Sequence, residues 1–316
     1  MSHRGYNACT KGQRGPRVAL VPFSELMRSA EEGQYAVGYF ESWNLESLLA
    51  TADAAEATHS PVILGFSGIY LPHPRRQVRE PLSVYAAMGL TVCRRLTVPC
   101  CLLFNESPEL DWVLESIDLG FNLVMFADEK LGTEELINTV ARVVEKAHAR
   151  GVAVEGEMNA LPGIHGELEA GNAVPLDDPR TARVFVERTG VDALAVNVGQ
   201  VHTHGRSHMR LDLERLAALR RAVPVPLVLH GATSIYPPDL VEAIQLGVRK
   251  INVGSILKRT YFETLRAASA QVGDPYNPYD VIGSGFPEDV LTQARVAVQE
   301  RIAELMHLFG SAGKAM

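Results

Sequence analysis

The feature that most constrains this chain of 316 residues is an alternation of short, β-rich apolar runs with longer amphipathic stretches. Eight such runs can be read: YAVGYF (35–40), PVILGFS (61–67), PCCLLF (99–104), NLVMFAD (122–128), VAVEGEM (152–158), ALAVNVG (193–199), PLVLHGA (226–232) and KINVGS (250–255). Between them lie helical segments such as NLESLLATADAAEATH and LGTEELINTVARVVEKAHARG. The second carries acidic residues early and basic residues late, as a helix dipole favours. Strands that are apolar almost throughout have to be covered on both faces, which indicates a parallel sheet clad in helices. Eight βα units in succession suit a closed (β/α)8, or TIM, barrel of class α/β. A doubly wound open sheet is the alternative. It would carry a Gly-rich phosphate turn after its first strand, and GYFESWN is not one.

The remaining segments fit around that barrel. DPYNPYDVIGSGFPED (274–289) is a Pro/Gly-rich connector into DVLTQARVAVQERIAELMHLFG, an extra C-terminal helix with an apolar face. MSHRGYNACTKGQRGPR has four Lys/Arg, no Asp or Glu and no apolar core of a secretory signal. It is read as a mobile tail over 1–17, with 18–316 as a single barrel domain including its helical extension.

Composition narrows the function class. The net charge of −7, with no basic block in the barrel, argues against nucleic acid as a partner. No run approaches the ~18 apolar residues of a membrane helix. Cys9, Cys93, Cys100 and Cys101 form no Cys-x-x-Cys pair, and neighbours Cys100 and Cys101 point to opposite faces of a strand. They read as small buried residues of a reduced, cytoplasmic protein.

In a barrel of this kind chemistry sits at the C-terminal ends of the strands. Strand one ends at Glu41, with Asn44 just beyond; strand three stops at Asn105 and Glu106. Strand five carries Glu155 and Glu157, strand six ends at Gly199 before QVHTHGR, and strand seven ends at His230 and Gly231. Strand eight carries Asn252, Gly254 and Ser255. Two histidines and a carboxylate converging there match a catalytic zinc set that leaves a coordination position open. LHGATS and INVGS each place Gly, Ser or Thr after a strand, where backbone N–H groups and hydroxyls hold phosphate.

With these residues in view, the sequence resembles the class II, metal-dependent fructose-bisphosphate and tagatose-bisphosphate aldolase family. The similarity runs from GQYAVGYFESWNLESLLATADAAEATHSPVIL through SIDLGFNLVMFADEKL and DDPRTARVFVERTGVDALAVNVGQVH to LVLHGATSIYPPDLVEAIQLGVRKINVGSILK and LFGSAGKA. The resemblance implies a (β/α)8 barrel that uses zinc or another divalent metal, with a monovalent cation as a further candidate. It also implies a homodimer or homotetramer acting on a phosphorylated sugar through an enediolate. Carried over by position, His202 and His230 fall on two of the family's three zinc ligands, and Arg206 falls where a phosphate-contacting Lys stands. Gly231, Thr233, Asn252, Gly254 and Ser255 fall on the phosphate cradle and substrate-contact turn. Asn44 and Gly199 join them as candidate substrate contacts.

The departures lie in the chemistry. Where FNES stands the family has Leu-Asp-His, so Asn105 replaces its acid/base Asp and Glu106 its third zinc-binding His. In LPGIHGELEAG, His165 occupies the place of a Glu used in enolisation, with Glu167 nearby, and Glu41 stands where Asn is usual. Asn105 cannot exchange a proton at neutral pH. Glu41, His165 and Glu157 are therefore the candidate acid/base residues, and Glu106, His202 and His230 the metal set. Substitution by other polar and titratable groups indicates a re-specified site. The expected activity is a metal-dependent, aldolase-type lyase cleaving or forming a phosphorylated ketose. Retro-aldol epimerisation of a sugar phosphate and a non-catalytic partner subunit are the alternatives.

Overall fold

The computed structural model describes residues 19–159, 161, 176–201 and 208–315. The N-terminal tail, His165, Glu167, His202 and Arg206 lie outside the described residues. The order is α1 (Phe23–Gly33), β1 (Val37–Ser42), α2 (Leu45–Thr58), β2 (Val62–Ser67), α3 (Leu82–Cys93), β3 (Cys100–Ser107), α4 (Leu110–Asp118) and β4 (Leu123–Phe126). It continues with α5 (Thr133–His148), β5 (Ala153–Glu157), α6 (Pro179–Thr189), β6 (Ala193–Ala195), α7 (Leu213–Ala222) and β7 (Leu227–Leu229). After these come α8 (Pro237–Gln245), β8 (Val248–Val253), α9 (Ser255–Ala270), the short α10 (Pro278–Val281) and α11 (Val290–Leu308). The eight strands form a closed barrel in chain order, β8 pairing with β1 in parallel. The barrel expected from the sequence is the one observed, and α11 is the extra C-terminal helix.

Two apolar layers hold it. Outward-facing residues such as Phe40, Leu64, Leu102 and Leu194 pack against the surrounding helices. Inward-facing Val37, Ile63, Cys101, Leu123, Ala193 and Val228 pack with Phe23, Leu26, Met27 and Ala30 of α1. Most of these inward residues lie at strand beginnings, so α1 closes the N-terminal end of the barrel. The two adjacent cysteines divide as expected, Cys100 outward and Cys101 inward. No described helix is long and apolar enough to cross a membrane.

Several element ends differ from the sequence reading. β1 extends one residue past Glu41 to Ser42, whereas β6 and β7 end at Ala195 and Leu229, short of Gly199 and His230. β3 does not stop at Asn105 but runs to Ser107, with its register against β4 shifting between Phe104 and Ser107. Glu106 takes a φ of 51° there. In a regular strand neighbouring side chains point to opposite faces. The irregularity re-aims Glu106, as bulges at barrel rims do, and the side chains of Asn105 and Glu106 meet.

Gly65 of β2 illustrates how closely the strands approach. A Cβ there would collide with the carbonyl oxygen of Leu103 on β3. The obstacle is backbone, so no rotamer change relieves it. Gly65→Ala should destabilise the protein by about 3 kcal/mol, the upper end for overpacking, measured by denaturant unfolding. An unchanged midpoint would show that this seam opens at little cost.

Candidate active site at the barrel mouth

Closure of the barrel sends alternate residues of every strand toward the axis. On β1 these are Tyr39 and Glu41, on β5 Glu155 and Glu157, and on β8 Lys250 and Asn252. His230, just past β7, joins them. Its Nδ1 is 3.2 Å from Glu106 Oε1 and 3.6 Å from Glu157 Oε1, and its Nε2 is 2.8 Å from Glu155 Oε1. Lys250 Nζ lies 2.7 Å from Glu155 Oε2 and also donates to Asn252 Oδ1. Asn252 Nδ2 donates to Asn105 Oδ1 at 3.4 Å.

The fields of these groups act on one another. Burial alone would lower the pKa of His230, but Glu106 first, with Glu155 and Glu157, pushes it up to about 10. Burial pushes Glu157 up to about 8 against the attraction of His230, with Glu106, Asp177 and Glu155 adding to the rise. Burial would also raise Glu155, yet Lys250 and His230 hold it below the usual carboxylate range.

A cavity of about 180 Å³ opens above this cluster. Among the sequence candidates, Glu41, Asn105, Glu106, His230, Gly231, Thr233, Asn252, Gly254 and Ser255 line it. Thr233 sits in a 3-10 turn and Ser255 begins α9, whose first N–H groups lack intrahelical partners. Glu41 ion-pairs through Oε1 with Lys258 of α9. Its Oε2 lies where a Cβ on residue 254 would stand, so Gly254 leaves room for this placement of the carboxylate. Burial raises the pKa of Glu41, opposed by Lys258, with Glu106 adding to the rise. Lys258 Nζ also lies 5.9 Å from the Trp43 ring centroid and 5.0 Å from that of Tyr70.

Two candidates stand elsewhere. Asn44 caps α2, accepting from Ser47 N at 2.9 Å and donating to Tyr261 Oη at 3.3 Å, and does not line the cavity. Gly199 donates its N–H to Asn197 Oδ1 at 3.1 Å and is likewise off the cavity lining. The sequence reading placed Glu155 among the polar groups of strand five without giving it a role, and missed Tyr39, Lys250 and Lys258 as parts of the site. The signal for Tyr39 and Lys250 was period two: each precedes a recognised polar residue by two positions on the same strand.

One imidazole and two carboxylates, on His230, Glu106 and Glu157, present ligand atoms all within 4.8 Å of one another. A barrel with such a cluster at its C-terminal mouth, beside two Gly/Ser/Thr turns, has the features of a metal-dependent barrel enzyme. Comparison with known proteins narrows the class. The family model described as Fructose-bisphosphate aldolase class-II matches residues 21–314. Fructose-bisphosphate aldolase of Geobacillus stearothermophilus is 34% identical over 298 residues, covering 94% of this chain and 99% of that protein. The Thermus caldophilus fructose-bisphosphate aldolase is 32% identical over 321 residues, covering 94% and 100%. The crystal structure of the YdjI aldolase from Escherichia coli K12 superposes with a TM-score of 0.76 at 29% identity, covering 94% of this chain and 100% of that one. The chain belongs to the class II fructose-bisphosphate aldolase family. It is an aldolase-type carbon–carbon lyase of phosphorylated ketoses, in a family that uses a divalent metal.

The elevated His230 and Glu157 give a test of the donor cluster. Burial and the neighbouring carboxylates favour the protonated form of both without metal, and both must be deprotonated to bind a cation. Binding of Co2+ at pH 7 should release about two protons. Affinity should climb as pH rises through about 8 and on toward about 10. Calorimetry in buffers of different ionisation enthalpy counts those protons, and release of none would remove His230 and Glu157 from the donor set.

Proposed function

We propose that this protein is a zinc-dependent aldolase in which His230, Glu106 and Glu157 hold the cation, with His202 completing the set. The observation that carries the reading is the convergence of those three side chains within 4.8 Å at the barrel mouth. The donor chemistry fits. Imidazole nitrogen and carboxylate oxygens are ordinary zinc ligands. Once His230 and Glu157 have given up their protons, Glu106, Glu155 and Glu157 against the single ammonium of Lys250 leave two negative charges, which one divalent ion would balance. When bound, the cation would polarise the substrate carbonyl and stabilise negative charge developing as the carbon–carbon bond breaks.

The chain's own residues supply the rest. Ser255, Thr233 and the turn backbones at Gly231 and Gly254 hold the substrate phosphate, with Arg206 as a bidentate partner. Asn105 meets a substrate hydroxyl as a neutral hydrogen-bonding group. Glu41 takes over the proton transfer that Asn105 cannot perform. Its carboxylate lines the cavity, lies outside the donor cluster, and is shifted upward by burial toward working pH. His165 serves as the enolisation base. The exposed Tyr276, Tyr279, Ile282 and Phe286, on and around α10, support association of two or more copies.

The test is product analysis. The zinc-loaded protein should split a phosphorylated ketose into two carbonyl fragments. A single epimeric sugar phosphate would replace cleavage with epimerisation, and no turnover across ketose phosphates by the metal-loaded protein would overturn the enzymatic reading. Glu41→Gln should lower kcat by about 10²–10⁴-fold with unchanged metal content. Glu106→Ala should weaken metal binding by more than ~10-fold. Ser255→Ala should act chiefly on KM, because phosphate is held alike in ground and transition states.

A further inference from the structure

We infer that Lys250 and Glu155 form a buried positioning pair that selects which nitrogen of His230 faces the cation. The inference rests on His230 being a metal ligand. The side chains of Lys250 and Glu155 have no exposure to solvent, and that of His230 is 3% exposed. Both carboxylate oxygens of Glu155 are engaged: Oε2 with the Lys250 ammonium at 2.7 Å and Oε1 with His230 Nε2 at 2.8 Å. A carboxylate held by an ammonium on one oxygen is an acceptor on the other. Nε2 must therefore carry the hydrogen. Once His230 is neutral, as a metal ligand must be, that arrangement leaves the lone pair on Nδ1, the nitrogen facing Glu106 and Glu157.

The same pair is joined to Glu106 by a second route. Lys250 donates to Asn252 Oδ1, Asn252 Nδ2 donates to Asn105 Oδ1, and Asn105 Nδ2 donates to Glu106 Oε2. Without metal, the protonated ring of His230 closes the path, its Nδ1–H donating to Glu106 Oε1 at 3.2 Å. The six side chains close a ring in which each amide is oriented by the donor before it. Lys250 thus fixes one ligand through Glu155 and the other through the two asparagines. Partners of this kind orient metal-bound imidazoles, and their loss costs 10- to 100-fold in affinity.

The experiment is a Zn2+ titration of metal-free protein, with ¹⁵N imidazole spectra of the zinc-loaded form. In the parent, the His230 signals, assigned by difference from His230→Ala, should show Nδ1 bound to metal and Nε2 protonated. The reverse pattern overturns the inference without any variant at the pair. Glu155→Gln leaves Lys250 buried without its carboxylate, so the double variant Glu155→Gln/Lys250→Met, which removes both charges, guards against misfolding. It should bind Zn2+ about 10- to 100-fold more weakly than the parent. Affinity within twofold of the parent, while His230→Ala loses zinc, overturns the positioning role and leaves the metal site standing. Stoichiometric zinc in His230→Ala overturns the metal site itself, and the inference with it.

Discussion

At the centre of the barrel an ammonium and a carboxylate lie 2.7 Å apart without contact with solvent. Removing two such ions from water costs several kcal/mol each, and only mutual attraction plus further hydrogen bonds offsets it. Lys250 and Glu155 make those bonds upward, to Asn252 and His230. The polar groups at the mouth are thus anchored from below by a pair that cannot shift without leaving a charge unmatched. Exchanging one partner alone should be costly, whereas exchanging both need not be.

The bulged end of β3 supplies the complementary device. A residue with a side chain at positive φ costs roughly 1–2 kcal/mol relative to a relaxed strand, and Glu106 occupies that region. The distortion brings two adjacent side chains to the same site, which a regular strand cannot do. One is neutral and buried, the other is a carboxylate facing an imidazole. The exchange of Asp-His for Asn-Glu at this place moves charge from the first position to the second. Proton transfer from another strand, the role proposed above for Glu41, would follow from that exchange.

Much of this was legible in the residues. All eight strands announced themselves, because a parallel strand covered on both faces has to be apolar along its length. Nine of the candidates from strand ends line one cavity for the same reason, since strand ends in a closed barrel converge. What escaped notice was a pairing below the rim. Lys250 and Glu155 sit inside apolar runs, where a charge has no local partner in sequence, and the two lie 95 positions apart only by counting along the chain. Their pairing is a product of closure. The continuation of β3 to Ser107 was hidden because polarity, used to end a strand, instead marks its functional rim. Asn44 shows a local role that the strand-end reading did not weigh: an Asn before a helix serves as its cap.

The helix α1 has a consequence for traffic. Its Phe23, Leu26 and Met27 seal the end of the barrel opposite the cavity. A small molecule that reaches His230 has no exit beneath it and must retreat along the route by which it arrived.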